Sequence, residues 1–164
     1  MRILVVTGLL LVTAGGAHAN DEYVNPRFCY RVVQPASVSR VVPHADRSGI
    51  TMELGDGCPG PACVSIDITA GYPNRADDWP HAHGYYRALG WKSAKPVRRT
   101  LAETTWTLYR MTRNDALMDV HESTRRRGAA AFVVVVRFPR GVEARVRRDV
   151  TDLLTSWRWV SACV

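Results

Sequence analysis

The densest collection of chemistry-bearing side chains in the sequence is Asp77-Asp78-Trp79-Pro80-His81-Ala82-His83. Two histidines two residues apart share a face of an extended segment. With Asp77 or Asp78 as an oxygen ligand, His81 and His83 form a candidate zinc or hard-metal site, the start of a metal-dependent hydrolase. On a helix the same spacing points the two rings apart, and a polar surface loop is the competing account. Asp119 and His121 are also two apart, within a run of strand formers, where a carboxylate could orient an imidazole as a general base. A base needs a nucleophile, and the sequence holds no Gly-x-Ser-x-Gly elbow. It has no phosphate-cradling glycine loop and no dinucleotide fingerprint either. The expectation is a chain without catalytic residues and without a cofactor.

Binding chemistry is better supplied. The 164 residues carry 22 Lys and Arg against 15 Asp and Glu, a formal net charge of +7. Arg125, Arg126 and Arg127 form one run, Arg98 and Arg99 a second, and Arg140, Arg145, Arg147 and Arg148 a third. Guanidinium forks suit carboxylates and phosphates. If the runs converge they make an anion-facing patch; if not, they are separate solvated faces. Trp79, Tyr85, Tyr86 and Trp91 lie close together in sequence and supply either interface anchors or core. Arg125, Arg126, Arg127, Arg98, Arg99, Trp79, Tyr85 and Tyr86 are therefore the candidate partner-contacting residues.

What a basic chain meets depends on its compartment. Met1-Arg2, the apolar stretch from Ile3 to Val12 and the small-residue end Ala17-His18-Ala19 have the three parts of a secretory leader. The apolar run is shorter than the roughly 20 residues that span a bilayer. The sequence thus predicts a leader over residues 1–19, one domain over residues 20–164, and a periplasmic or secreted location without stable membrane insertion. Free nucleic acid is scarce there, so the expected polyanions are an acidic protein, headgroups or surface glycans.

Four cysteines, Cys29, Cys58, Cys63 and Cys163, follow the leader. An even count in an exported chain predicts disulfides, in any of three pairings. The Pro/Gly turn between Cys58 and Cys63 can join its own ends, which leaves Cys29 with Cys163. The long loop would contribute roughly 4–5 kcal/mol and the short one about 2. A zinc knuckle fits worse, because Cys29 and Cys163 do not form a second one.

The elements that position these groups can be read from apolar periodicity. Residues 28–33, 50–54 and 64–69 read as strands, the last as strict alternation of Val64, Ile66 and Ile68 with Ser65, Asp67 and Thr69. Residues 76–90 read as a helix that Gly90 stops, and the basic stretch 91–99, with Pro96, as a connection. Residues 104–111 and 116–124 pair around an Asn114-Asp115 turn. Residues 129–138 are apolar without alternation at Phe132–Val136, so that strand is covered on both faces. Val142, Val146, Val150, Leu153, Leu154 and Trp157 recur on a helical period. The predicted fold class is α+β: about six mostly antiparallel strands with a mid-chain and a long C-terminal helix, in the order β-β-β-α-β-β-β-α.

Trp106-Thr107-Leu108-Tyr109 in one strand, the long apolar strand 132–138, and a last helix ending Leu154-Thr155-Ser156-Trp157 resemble the PsbP-like α/β/α sandwich proteins. The resemblance covers about half of the chain beyond the leader and includes no catalytic motif. It implies a non-enzymatic binding or assembly protein. Export, disulfides, missing catalytic motifs and abundant arginine together fit an immunity protein that binds an acidic secreted toxin, such as a type VI effector. An envelope-assembly or surface-polymer binding module is the alternative.

Overall fold

The computed structural model describes residues 21–55, 63–72, 82–123 and 130–161. Ahead of the first helix come strands β1 (Glu22–Asn25), β2 (Tyr30–Val33), β3 (Val38–Pro43), β4 (Gly49–Leu54) and β5 (Val64–Gly71). Helix α1 (His83–Ala88) is followed by β6 (Lys92–Ser93), β7 (Val97–Leu101), β8 (Thr104–Arg113), β9 (Ala116–Ser123) and β10 (Ala131–Pro139). Helix α2 (Glu143–Ser156) and β11 (Arg158–Trp159) complete the described elements.

The main sheet runs β3-β4-β5-β10-β9-β8-β6, with β7 also paired to β8; a smaller sheet runs β1-β2-β11. Every described pairing is antiparallel. Strand β10 sits between β5 and β9, and its residues from Ala131 to Val136 are all buried. That burial explains the lack of alternation: Phe132, Val134 and Val136 face one core, Val133 and Val135 the other.

The larger core lies under α2 and the small sheet. Val146, Val150, Leu153 and Leu154 supply the buried stripe of α2, and Trp157 follows directly as the chain leaves the helix. Tyr30 and Val32 enter the same core from β2, and the Val33 amide donates to Ser156 Oγ at 2.9 Å, tying β2 to the end of α2. The other face of the main sheet carries α1, whose Tyr86 packs with Met111, Met118, Val120, Val133 and Val135. The mixed α+β architecture, mostly antiparallel with helices packed on both sides of the sheet, is the one read from periodicity.

Helix α1 stops where Gly90 takes φ +86°. The Gly90 amide donates to the Arg87 carbonyl and the Trp91 amide to the Tyr86 carbonyl, a Schellman closure that needs the left-handed residue. Only its C-terminal end can be compared with the predicted helix, since residues 73–81 lie outside the described residues. Gly49 has a different reason to be glycine: a Cβ there would run into the Ile68 carbonyl of the neighbouring strand.

Two expectations need correction. The stretch 91–99 is not merely a connection, because it contains β6 and leads into β7, with Pro96 between them. Strands β1, β3 and β11 also add to the expected count. The cause is shared. These are short or solvent-facing strands, and β7 is exposed at every position but its last, so no apolar alternation marks it. Among the described residues, no helix is long and apolar enough to cross a membrane.

Candidate functional site

Strand β9 alternates its side chains between the two faces of the sheet. Asp119 faces α2, and Glu122 faces the α1 side with Met118 and Val120. At the start of α1, both the His83 backbone amide and its Nδ1 lie 2.7 Å from Glu122 Oε1. The His83 ring stacks on Tyr109 of β8, with centroids 3.7 Å apart and planes 6° apart. Three elements thus fix one imidazole through Nδ1 and one ring face, and among the described residues Nε2 has no partner.

His83 and Tyr109 line a groove of about 770 Å³ between α1 and the β6 edge, together with Arg87, Trp91, Lys92 and Lys95. Residues 92–100 are exposed throughout and include Lys92, Lys95, Arg98 and Arg99. Among the described residues none of these four forms an ion pair. Three cations elsewhere are engaged: Arg31 pairs with Glu22 at 3.2 Å, Arg40 with Glu53 at 3.4 Å and Arg147 with Asp119 at 2.9 Å. Strand β7 places Arg98 opposite Thr107 and Arg99 opposite Trp106, on opposite faces of the edge.

The pair Asp119 and His121 does not form an accessible base. The Asp119 side chain is 5% exposed and is held by Arg147 Nε. His121 is 8% exposed, and burial pushes its imidazole down to about 4, against the opposing pull of Asp119 and with help from Arg99 and Arg110. It is neutral at neutral pH and shut away from solvent.

A second imidazole has the opposite setting. Thr51 Oγ1 and Thr69 Oγ1 donate to the Asp67 carboxylate at 2.9 and 2.7 Å, and His44 Nε2 lies 3.4 Å from it. The bond to Asp67 holds the His44 imidazole above its ordinary range and outweighs burial. For Asp67, burial pushes the carboxyl up, but the hydrogen bonds from His44, Thr69 and Thr51 prevail and hold it below the usual range. The raised imidazole stabilises the fold fully below about pH 6.5 and loses that contribution as pH rises through the folded value. The lowered carboxyl stabilises above about pH 4 and loses it as pH falls through its own folded value. Substituting His44→Ala should therefore cost about 1 kcal/mol between about pH 4 and 6.5, and less at pH 9. Chemical denaturation at pH 5.5 and pH 9 checks this; an equal cost at both would refute it.

The remaining sequence candidates separate. Tyr86 is 5% exposed, packed beneath α1, and accepts a hydrogen bond from Arg137 Nη2 at 3.0 Å. Tyr85, its neighbour, is 46% exposed. Cys29 and Cys63 are each disulfide-bonded. The pairing read from sequence requires Cys58 and Cys163, which lie outside the described residues, as do Asp77, Asp78, Trp79, His81, Arg125, Arg126 and Arg127. Among the described residues no three metal-ligating side chains gather.

Sequence reasoning passed over Glu122, Arg87, Lys92, Lys95 and Tyr109. The alternation in residues 116–123 places Glu122 on the same face as Met118 and Val120. Nothing in the sequence placed His83 against it, 39 residues away.

No protein-family model matches the chain, and no curated protein matches its sequence. Solved structures do resemble it. The solution structure of cyanobacterial PsbP from Synechocystis sp. PCC 6803 aligns with a TM-score of 0.54 and 14% identity, over 91% of this chain and 98% of that one. A crystal structure from Bacteroides thetaiotaomicron VPI-5482 aligns with a TM-score of 0.51 and 9% identity, over 86% of this chain; the chain spans 48% of that protein's length. A Pseudomonas aeruginosa protein of unknown function aligns with a TM-score of 0.41 and 16% identity, over 75% of this chain and 89% of that one. At these identities the likeness to the first two is one of fold, and the fold resembles that of PsbP.

Proposed function

We propose that this chain is an exported, non-catalytic protein that binds another protein, and concretely an immunity protein that neutralises a secreted antibacterial effector. The observation that carries the reading is the unpaired basic edge. Lys92, Lys95, Arg98 and Arg99 lie on a fully exposed stretch without ion-pair partners among the described residues, while Arg31, Arg40 and Arg147 are all paired. Unneutralised charge along a sheet edge costs self-repulsion, and an acidic partner removes that cost on docking. Burial of both Asp119 and His121 further supports binding rather than turnover. In this reading the leader, residues 1–19, is removed on export, residues 20–164 form one domain in an oxidising space, and disulfides stiffen the surface.

The test is genetic and biophysical. Deleting the gene should sensitise cells to a toxin encoded beside it, and the two purified proteins should form a complex. Reversing Arg98 and Arg99 to Glu should slow association about tenfold at low salt and flatten its salt dependence. A deletion strain that tolerates every neighbouring toxin, with no complex formed, sinks the proposal. Binding to anionic liposomes or glycans at physiological salt, in place of a protein, would favour the envelope-module alternative.

A further inference from the structure

The groove beside α1 is distinct from the exposed β7 edge next to it. Its walls come from the Schellman turn that ends α1 and from β6, the last strand in the main sheet's pairing order. Cations line it at Arg87, Lys92 and Lys95, and aromatic surface at Trp91 and Tyr109. Its neighbouring carboxylate, Glu122, is already taken up by His83. Strand β6 pairs with β8 through Lys92 opposite Thr112 and Ser93 opposite Met111, so its other side is a free edge among the described residues.

We infer that this groove is the binding site for an extended acidic segment of a protein partner, lying along the β6 edge with its carboxylates on Arg87, Lys92 and Lys95. The inference rests on the protein-binding reading above and adds the site and the chemistry of its occupant. A sheet edge offers backbone donors and acceptors to an extended chain. The three cations supply charge-assisted bonds to carboxylates. Trp91 and Tyr109 offer flat surface to an intervening apolar side chain. The position of His83, locked by Glu122 and Tyr109, keeps the groove wall preformed, so little ordering cost falls on binding. Concavity distinguishes the occupant from a membrane: a flat headgroup layer does not enter a recess of about 770 Å³.

The experiment titrates the full disulfide-bonded chain with a synthetic decapeptide of Asp and Glu carrying one central leucine, followed by calorimetry at low and physiological salt. Binding should weaken about tenfold in the Lys92→Glu/Lys95→Glu variant, and should weaken also in Arg87→Ala. Arg145→Glu, an exposed change on α2, should leave it unchanged. All of these positions are exposed, so thermal unfolding should be the same in each variant. The inference falls if the decapeptide does not bind the wild-type chain, if the groove variants bind it equally well, or if phosphatidylglycerol vesicles bind and are lost through the same variants. These outcomes are independent of the deletion phenotype. A toxin complex that survives the groove variants overturns the site alone, and peptide binding without any toxin phenotype overturns the immunity reading alone.

Discussion

Replacing Trp157 by alanine should cost about 3–5 kcal/mol of folding stability, the range for emptying a large aromatic site in a packed core. Trp157 is 1% exposed and occupies the point where α2, the small sheet and the main sheet meet. Its ring stacks on Tyr30 at 4.5 Å and 11°. It meets Trp106, Phe132 and Trp159 edge-on at 5.1, 5.7 and 5.9 Å. These contacts come from four separate elements, so no local rearrangement can close the space. Part of the ordinary cost of burying an indole is already present, because Trp157 Nε1 has no hydrogen-bond partner among the described residues. Trp157→Phe should for that reason cost less, about 1–2 kcal/mol, since it keeps the stacking and removes the unsatisfied donor. Urea denaturation with oxidised protein, followed by far-ultraviolet circular dichroism, measures both. A loss below about 1 kcal/mol for the alanine variant would mean that Trp157 is not the joint between the layers.

Acid should weaken the fold through His121 by up to about 3 kcal/mol. The sign follows from the direction of the shift. Burial depresses the folded imidazole to about 4, so between about pH 6.5 and 4 the unfolded chain takes up a proton that the folded chain refuses. Stability is lost across that interval and the loss levels off below it. The charges facing His121 do not rescue the protonated form: Asp119 favours it, Arg99 and Arg110 oppose it, and Asp119 is itself engaged by Arg147 at 2.9 Å. The variant His121→Leu should lack this slope. Just above that interval the His44–Asp67 pair changes stability in the other direction, gaining as pH falls through the raised His44 value toward about 6.5. The comparison must therefore be wild type against His121→Leu at each pH rather than one protein across the range. Parallel curves for the two from pH 7 to pH 4 would refute the assignment.

How much of this was legible beforehand follows from the kind of signal each feature leaves. The stripe Val142, Val146, Val150, Leu153, Leu154, Trp157 announced α2, and burial of its central members bears this out. The unalternating run Phe132–Val136 announced a strand covered on both faces, and β10 is that strand. The Asn114-Asp115 turn joins β8 to β9 as expected, with Asn114 at φ +53°, a left-handed position that asparagine tolerates. In the first two cases a residue's own burial writes the pattern, and in the third its backbone preference does.

The edge strands and the groove left no such mark. Strands β6 and β7 carry lysine and arginine on solvent-facing positions, so their pairing with β8 adds no periodicity. The His83–Glu122 bond and the Tyr109 stack join three elements, and only the antiparallel order of the sheet sets α1 over β8 and β9. Composition and period by themselves determined the class of fold, its two helices and its positive charge, because those depend on each residue's own polarity and charge. Which cations remain unpaired among the described residues, and which imidazole burial pushes down and which a carboxylate holds up, only the tertiary structure decided, because those properties depend on neighbours that are distant along the chain.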